Sequence, residues 1–266
     1  MYRFYLNISE LTISKKLTMS SDKKNRTASH LMIWNELKWA PSEKQLAQFI
    51  HLQELLKEWN KKINLTRLVY GDDFWTTQVC DSLLPLHEKL QYPELSHKYI
   101  DIGSGCGFPG IAIAIAMPNS DITLLDSSSK KTTFLKEVSK EIGLDSRIKV
   151  VTERAEEAGR NPIFRSNFDY AIARAVASAN VVAEYLVPFL NSTGQALIFK
   201  GSWSETEQQI LKKALAELNA EIQQTHEFIL PNNRGIRNII RISSIKKCPH
   251  QYPRSIGKPK KQPLGY

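Results

Sequence analysis

The 266-residue chain has few cysteines and no long apolar run. Its three cysteines, Cys80, Cys106 and Cys248, are too few and too widely spaced for a disulfide framework, and they fit no paired zinc-ligand spacing. No stretch of about 18 uncharged apolar residues exists, and the first 30 residues lack the apolar centre of a secretory signal. The six histidines are scattered and form neither a triad nor a metal cluster. These absences predict a cytoplasmic protein with no metal and no membrane contact.

Acidic residues are missing from the end of the chain, where Glu227 is the last of them. Nine basic residues follow it: Arg234, Arg237, Arg241, Lys246, Lys247, Arg254, Lys258, Lys260 and Lys261. Since the whole chain carries a net charge of +9, all of its net positive charge lies after Glu227. This asymmetry is typical of a polyanion-binding arm, and a solvated tail is the alternative. We predict that residues 246–266 form a basic Pro/Lys-rich tail that orders only on binding RNA, and that its removal leaves cofactor affinity unchanged.

The first 95 residues show no sheet pattern. We expect residues 1–31 to be a flexible extension, and we assign no function to them. Residues 32–95 are predicted to form a helical cap. Ser42 and Gln45 have the spacing of a capping box and predict the start of a helix that continues for about five turns. Pro85 predicts a kink or break in a second helical stretch.

From residue 96 to 245, short apolar runs alternate with amphipathic segments, which is the pattern of a parallel sheet with crossover helices. The predicted strands are Lys98–Ile102, Ile122–Leu125, Ile148–Val151, Phe168–Ala173, Ala196–Phe199, Glu221–Ile229 and Ile236–Ile242, and the predicted helices are Ile111–Met117, Lys130–Ile142, Asn180–Leu190 and Glu205–Leu218. The last two strands are too close in sequence for a parallel crossover. We therefore predict an α/β, Rossmann-like fold with seven strands, mostly parallel, ending in an antiparallel hairpin.

A glycine-dense turn follows the first predicted strand in the sequence Asp101-Ile102-Gly103-Ser104-Gly105-Cys106-Gly107-Phe108-Pro109-Gly110. Its glycines permit positive φ and close approach of a ligand, and the next helix presents free N–H groups. A carboxylate on a buried strand needs a cationic or hydrogen-bonding partner, which S-adenosylmethionine would supply and a pyrophosphate would not. This favours a methyltransferase. The spacing G-x-G-x-x-G from Gly105 keeps an NAD(P)-dependent oxidoreductase open, and a loop that merely turns the chain is a third alternative.

Two further acidic positions follow the second and third strands. Asp126 stands where the ribose hydroxyls of an adenosine ligand would lie, or it caps the helix that begins near Lys130. The backbone N–H at Ala155 or Glu156, with a carboxylate, could read the adenine edge, or these are solvated acids at a helix start.

Taken in order and spacing, several motifs resemble those of the bacterial RsmG (GidB) family of 16S ribosomal RNA methyltransferases. They are Trp59-Asn60-Lys61-Lys62-Ile63-Asn64-Leu65-Thr66, Asp81-Ser82, the loop Asp101–Gly110, Leu125-Asp126-Ser127, Ala155-Glu156, Arg174-Ala175 with Ala177-Ser178, and Lys200-Gly201. The likeness spans about residues 42–245. It implies a class I methyltransferase fold with an N-terminal helical addition, and N7 methylation of a guanine in the 530 loop of 16S RNA. Many relatives carry Arg-His where this chain has Thr77-Gln78, so no role of that histidine is transferred.

The resemblance implies cofactor contacts at Gly103, Phe108, Ala155, Glu156 and Arg174. Together with the residues argued above, these contacts give the candidate binding residues for S-adenosylmethionine and its product S-adenosylhomocysteine. They are Asp101, Gly103, Ser104, Gly105, Gly107, Phe108, Asp126, Ala155, Glu156 and Arg174.

Guanine N7 carries a lone pair and no proton, so we assign no general base. Arg174 and Lys200 follow the fourth and fifth strands, where they could position the substrate. Arg174 could instead pair with Asp101 or Asp169. Candidate RNA contacts are Asn64, Thr66, Lys200, Arg234, Arg237, Lys246, Lys247, Arg254, Lys258, Lys260 and Lys261. The expected partner is 16S RNA or the 30S subunit and the expected state is a monomer, while a non-catalytic RNA-binding protein on the same fold stays open.

Overall fold

The computed structural model describes residues 32–266, so the expectation for residues 1–31 lies outside the described part of the chain. Seven strands form one sheet: β1 (Lys98–Ile102), β2 (Asp121–Asp126), β3 (Ile148–Thr152), β4 (Phe168–Arg174), β5 (Leu190–Lys200), β6 (Ala220–Ile229) and β7 (Ile236–Ser244). Their order is β3-β2-β1-β4-β5-β7-β6, with β1 to β5 parallel and β7 antiparallel to both of its neighbours. The predicted α/β sheet with an antiparallel terminal hairpin is confirmed.

Helices lie on both faces of this sheet. In chain order they are α1 (32–36), α2 (Glu43–Asn60), α3 (Gly71–Phe74), α4 (Asp81–Leu83), α5 (Gly110–Ala116), α6 (Ser129–Glu141), α7 (Ala155–Ala158), α8 (Ala179–Leu186), α9 (Glu205–Glu217) and α10 (Lys258–Lys261). One apolar core joins α2, α5 and α6 to the sheet, and a second joins α8 and α9 to it. Because helices cover both faces, β1 and β4 are buried along almost their whole length.

The strand order reverses between β1 and β4. In an open parallel sheet the loops that leave the two strands at such a point diverge to opposite faces, and a crevice opens at their carboxyl ends. Ligand-binding side chains are therefore expected after Ile102 and after Arg174, where β1 and β4 end.

The capping box at the start of α2 is confirmed. Ser42 Oγ accepts from the Gln45 N–H at 3.3 Å, and Gln45 Oε1 accepts from the Ser42 N–H at 2.8 Å. Gln45 Nε2 also donates to Ile115 O at 2.9 Å, so the same side chain holds α2 against the last turn of α5. The helical cap is thereby attached to the element that follows the glycine loop.

The second helical stretch is less regular than the sequence predicts. Between α3 and α4 the residues Trp75–Cys80 form a π-helical turn, and α4 tightens into a 3-10 turn at Leu84–Leu86, which contains Pro85. The break at Pro85 is confirmed, because proline cannot donate the next helical hydrogen bond. The π turn was not predicted, and it places Gln78 in a wider turn of the kind often found at functional sites.

Several boundaries differ from prediction. The helix expected to reach Leu190 ends at Leu186, because Pro188 turns the chain into a 3-10 segment, Val187–Phe189. Strand β5 consequently begins at Leu190, where it pairs with Phe168, six positions before the predicted start. The four-residue helices α3, α7 and α10 are too short to produce a visible apolar period.

The expectation of a C-terminal tail that orders only on binding is wrong. Cys248, Tyr252 and Leu264 are buried in the core beneath α8 and α9, and residues 246–266 therefore pack against the sheet domain. Within residues 32–266, no helix combines the length and the apolar character that a membrane crossing requires.

Candidate active site

The loop between β1 and α5 lies at the carboxyl edge of the sheet. The Gly103 N–H donates to Leu125 O at 2.7 Å, which ties the loop to the end of β2. Gly103 has φ +72°, and a Cβ atom there would lie 2.8 Å from a methyl carbon of Val176. Gly107 has φ +92°, and a Cβ atom there would collide with Ile111. Side chains at these two positions would therefore collide with their neighbours, and the turn requires glycine there.

Asp126, at the end of β2, holds the same loop. Its Oδ2 accepts from the Gly105 N–H at 3.0 Å, and its Oδ1 accepts from the Ser128 N–H at 2.9 Å, directly before α6. The Lys131 ammonium lies 4.0 Å from Oδ2. Asp126 also lines the cleft described below. The structure therefore places it both at a helix start and at a position where a ligand hydroxyl could reach it.

Asp101 is oriented differently from expectation. Its side chain is 2% exposed, and its Oδ2 accepts from the Gly110 N–H at 2.9 Å. Among the described residues the other oxygen, Oδ1, has no hydrogen-bond partner. The lining of the cleft includes Gly103, Ser104 and Phe108 but not Asp101. The carboxylate therefore lies beneath the loop and holds the start of α5 through one oxygen, and a contact of the other oxygen with a bound cation stays a prediction.

Burial raises the pKa of Asp101 to about 7, although the Gly110 N–H and the charge of Arg174 both lower it. The ordinary value is 3.8, so between pH 4 and pH 7 the unfolded chain is ionised while the folded protein keeps a proton. Folding then takes up a proton, and stability falls as pH rises through this window.

Asp101→Asn cannot ionise and can still accept from Gly110. We therefore expect its free energy of unfolding to rise relative to the wild type by roughly 3 to 4 kcal/mol between pH 4 and pH 7.5, measured by urea unfolding. Asp145→Asn, at an exposed position, is the control and should show no such trend. Parallel pH profiles for wild type and Asp101→Asn would contradict the assignment.

A cavity of about 610 Å³ opens between the glycine loop, the ends of β4 and β5, and the α3–α4 stretch. We call it the Arg174 cavity; its lining includes Thr66, Gln78, Asp81, Gly103, Phe108, Arg174, Lys200 and Arg237. The Arg174 guanidinium lies 5.9 Å from the centre of the Phe108 ring, within the range of a cation–π contact.

Asp81 organises the charges of this cavity. Its buried carboxylate accepts from Arg174 Nη1 at 3.2 Å through one oxygen and from Arg237 Nε at 3.1 Å through the other. Arg174 Nη2 donates to Gln78 Oε1. A single carboxylate on α4 therefore orients one guanidinium from β4 and another from β7.

The alternative partners predicted for Arg174 are corrected by these contacts. Asp169 accepts instead from the Lys98 N–H at 2.7 Å and from Asn191 Nδ2 at 2.7 Å. Asp101 affects Arg174 only through its charge. Asp81 was not predicted as a site residue. Its position in the mostly apolar stretch that ends at Leu86 was a signal, because an acid buried there needs a charged or hydrogen-bonding partner.

Two of the predicted RNA contacts, Lys200 and Arg234, are paired with acids. Lys200 Nζ lies 2.7 Å from Glu207 Oε1, and this hydrogen bond lowers the pKa of Glu207. Arg234 lies 2.6 Å from Asp73. These two pairs are partly exposed, so water and phosphate can compete for the cations. Arg254 is different, since its partner is a fully buried acid described below.

Asn64 and Thr66, two of the candidate RNA contacts, differ in their position relative to the Arg174 cavity. Thr66 lines the Arg174 cavity, where its hydroxyl accepts from Gln78 Nε2 at 3.2 Å. Asn64 is exposed and does not line it. The loop is shaped instead by Asn60, which donates to Thr66 O at 2.8 Å and accepts from the Leu65 N–H at 2.9 Å. Asn60 therefore terminates α2 and positions Thr66.

A second cavity, of about 390 Å³, continues from the first, because both are lined by Gly103, Lys131 and Ala175. We call it the Glu156 cavity; its lining includes Asp126, Ala155, Glu156, Val176, Tyr185, Ile256, Gly257 and Lys260. Glu156 Oε1 accepts from the Tyr185 hydroxyl at 3.3 Å and from the Gly257 N–H at 3.0 Å. Together the two cavities form one cleft along the carboxyl edge of the sheet.

The exposed lysines expected to bind RNA lie in the C-terminal segment. Lys246, Lys247, Lys258, Lys260 and Lys261 belong to it, and within the described part of the chain no ion pair is found for them. Lys260 also lines the Glu156 cavity. These cations are therefore available to phosphate in a way that Arg174 and Arg237 are not.

The cleft offers little acid–base or nucleophilic chemistry. The described residues that line it include no histidine. Burial raises the pKa of the Cys106 thiol despite the charge of Arg174, which disfavours a reactive thiolate. No group of three or more His, Cys, Asp or Glu side chains within residues 32–266 could hold a metal ion.

The parallel sheet with its antiparallel last hairpin, the glycine loop after β1 and the acid at the end of β2 define a class I methyltransferase fold. The profile of the family described as rRNA small subunit methyltransferase G (GidB) matches residues 45–239. The chain belongs to this family.

Two relatives illustrate the likeness. The ribosomal RNA small subunit methyltransferase G of Prochlorococcus marinus (strain NATL1A) is 96% identical over 248 residues, which cover 93% of this chain and 100% of that protein. The protein of the same name from Parasynechococcus marenigrum (strain WH8102) is 49% identical over 232 residues, covering 87% and 94%. Among solved structures, a branched-chain polyamine synthase mutein of Thermus thermophilus matches with a TM-score of 0.53 at 13% identity, covering 74% of this chain and 64% of that one, a likeness of fold alone.

Proposed function

We propose that the protein transfers the methyl group of S-adenosylmethionine to N7 of a guanine in the 530 loop of 16S ribosomal RNA. The observation that carries the proposal is the continuous cleft, in which a glycine-lined half with acidic acceptors adjoins a half where Arg174 and Arg237 both bind the Asp81 carboxylate. Membership of the rRNA small subunit methyltransferase G family supports the substrate class. The choice of N7 and of the 530 loop rests on the family resemblance.

The cleft fits the cofactor on two structural observations. Gly105, at φ +55°, lines the cleft, and the nearest atom to a Cβ built there is Gly103 O at 3.7 Å, so a ligand can approach the backbone closely. The buried Asp101 Oδ1 keeps an unused acceptor beneath the loop. We assign the adenosine half to the Glu156 cavity, with Asp126 toward the ribose and the backbone at Ala155 toward the base, and the methionine half to the loop from Gly103 to Phe108.

S-adenosylmethionine, when bound, supplies an electrophilic methyl group on a positively charged sulfur. The chain has to present guanine N7 to it, and because N7 carries no proton, none has to be removed before attack. Holding the reacting atoms about 3 to 3.5 Å apart and in line contributes several kcal/mol to the rate by orientation alone. We assign this positioning to Arg174 and Arg237, which Asp81 holds in place and whose remaining donors suit the acceptor edge of guanine.

The proposed RNA path joins the cavity mouth to the exposed lysines of the C-terminal segment. Lys246, Lys247, Lys258, Lys260 and Lys261 would contact phosphates, while Arg234 and Lys200 would exchange their acidic partners for phosphate. A guanine within ribosomal RNA must be unstacked or presented in a loop before its N7 reaches the cleft.

The test is transfer of tritiated methyl from S-adenosylmethionine to small-subunit RNA, offered as free 16S RNA and as 30S particles. We expect incorporation at one guanine, located in the 530 loop by primer extension after borohydride and aniline cleavage. Label at another position would overturn the proposed target guanine. RNA binding without transfer of label would indicate a non-catalytic protein.

A thermal-shift arm of this experiment compares S-adenosylhomocysteine with NAD(H). We expect stabilisation by S-adenosylhomocysteine alone, which amounts to about 2.7 kcal/mol at 100 times its dissociation constant. Stabilisation by NAD(H) alone would instead favour the oxidoreductase.

A further inference from the structure

The C-terminal segment, residues 246–266, is fixed to the sheet domain by hydrogen bonds from several elements. Arg165, ahead of β4, donates to Tyr252 O at 2.6 Å and to two further carbonyl groups of the segment. Asn180 in α8 donates to Leu264 O at 2.7 Å near the other end. The part of the segment between these anchors is therefore held across the carboxyl edge of the sheet.

This held part reaches the Glu156 cavity. The Gly257 N–H donates to Glu156 Oε1 at 3.0 Å, and Gly257 has φ +76°, a backbone conformation that favours glycine. One oxygen of the Glu156 carboxylate is thus already engaged by the Gly257 N–H and by the Tyr185 hydroxyl. Ile256, directly before Gly257, lines the same cavity.

Ile256 is unusual among the residues of this cavity. It is 53% exposed, whereas Ile102, Leu125 and Ala155 are buried and Val176 is half-buried. Ala175 is also exposed, but its side chain is a single methyl group. A large aliphatic side chain in water at the wall of a ligand cavity gains free energy when a flat apolar face covers it. Adenine has such a face.

We propose that the C-terminal segment forms one wall of the adenosine half of the cleft and that Ile256 covers the adenine ring. The inference rests on the proposed function, because it takes the Glu156 cavity to be the adenosine site. It gives the segment a part in cofactor binding besides the RNA contacts expected of its lysines. It also reverses the expectation that loss of residues 246–266 leaves cofactor affinity unchanged.

The test uses the full chain with Ile256→Ala, Ile256→Leu and, as a matched control, Ile245→Ala. Ile245 is a similarly exposed isoleucine, at 59%, and does not line the cleft. Dissociation constants for S-adenosylhomocysteine and for 5′-methylthioadenosine are measured by calorimetry. We expect Ile256→Ala to raise both by about fivefold, since both ligands contain adenosine, and we expect the leucine variant and the control to match the wild type.

Hydrogen exchange in the wild type gives a second readout that requires no substitution. We expect S-adenosylhomocysteine to slow exchange of the backbone amides in residues 254–261. Unchanged affinity in Ile256→Ala, with a wild type that binds the ligand, would overturn this inference and leave the proposed function standing. Absence of binding by the wild type would overturn both.

Discussion

Asp81→Asn is expected to lower the rate of methyl transfer to small-subunit RNA by about 100-fold. The buried carboxylate is the charged acceptor for both Arg174 and Arg237. Without its charge the two guanidiniums repel each other and lose the contacts that orient them, and a displacement of about 1 Å is enough to cause a loss of this size. Single-turnover transfer of tritiated methyl at saturating cofactor measures the effect.

The same substitution is expected to reduce the free energy of unfolding by about 3 kcal/mol, because two largely buried cations lose their counter-ion. Asp73→Asn is the matched control. Asp73 lies eight positions earlier and pairs with Arg234 of the same hairpin at 2.6 Å, but both side chains are over a third exposed. Its loss should cost less than about 1 kcal/mol. Both losses are measured by urea unfolding. Equal losses in the two variants would show that the buried ion pairs of Asp81 stabilise the fold no more than the exposed pair of Asp73 does.

The sheet could be predicted because its signals are local. Each parallel strand appears as a short apolar run, and the short connection Leu230–Gly235 by itself requires an antiparallel hairpin. The glycines at 103 and 107 could likewise be assigned to a tight turn, since their requirement for positive φ depends on neighbours within a few residues. Local spacing was therefore enough to predict the fold and to locate the edge of the sheet that carries the cleft.

The charge network could not be predicted in the same way. Arg174 and Asp81 are 93 positions apart, and their contact depends on how α4 is placed by the π turn before it. An acid at the end of a strand could equally face a ligand or a backbone N–H group, and for Asp101 the structure shows the second. Spacing in the sequence indicates which residues reach the sheet edge, but packing decides which way their side chains point.

The C-terminal segment shows why composition alone was misleading. Lysine and proline are typical of disordered chains, and a polar tail with few aromatic residues rarely buries enough surface to fold. Here a few apolar residues of the segment, Cys248, Tyr252 and Leu264, join the second apolar core, and Arg254 pairs with an acid that is buried in α8. That acid is Glu184, which stands 70 positions from its partner.

Arg254→Ala is expected to be the most destabilising substitution in the C-terminal segment. The Glu184 side chain is 0% exposed, and it accepts from Arg254 Nε at 2.9 Å and from Nη2 at 2.6 Å. The hydrogen bond to Glu184 raises the pKa of Arg254, which therefore stays charged. Removal of the guanidinium leaves a buried carboxylate without a counter-ion, and such losses cost about 3 to 5 kcal/mol. Urea unfolding at pH 7.5 measures the change.

Arg160→Ala is the matched control for this substitution. Arg160 Nε also binds the segment, at 2.8 Å from Pro253 O, but its partner is a neutral carbonyl and its side chain is exposed. Its loss should cost about 1 kcal/mol. Replacing Arg254 and Glu184 together by methionine removes both charges and should recover part of the lost stability. If Arg254→Ala were no more destabilising than Arg160→Ala, the buried ion pair would not be what holds the segment against the cleft.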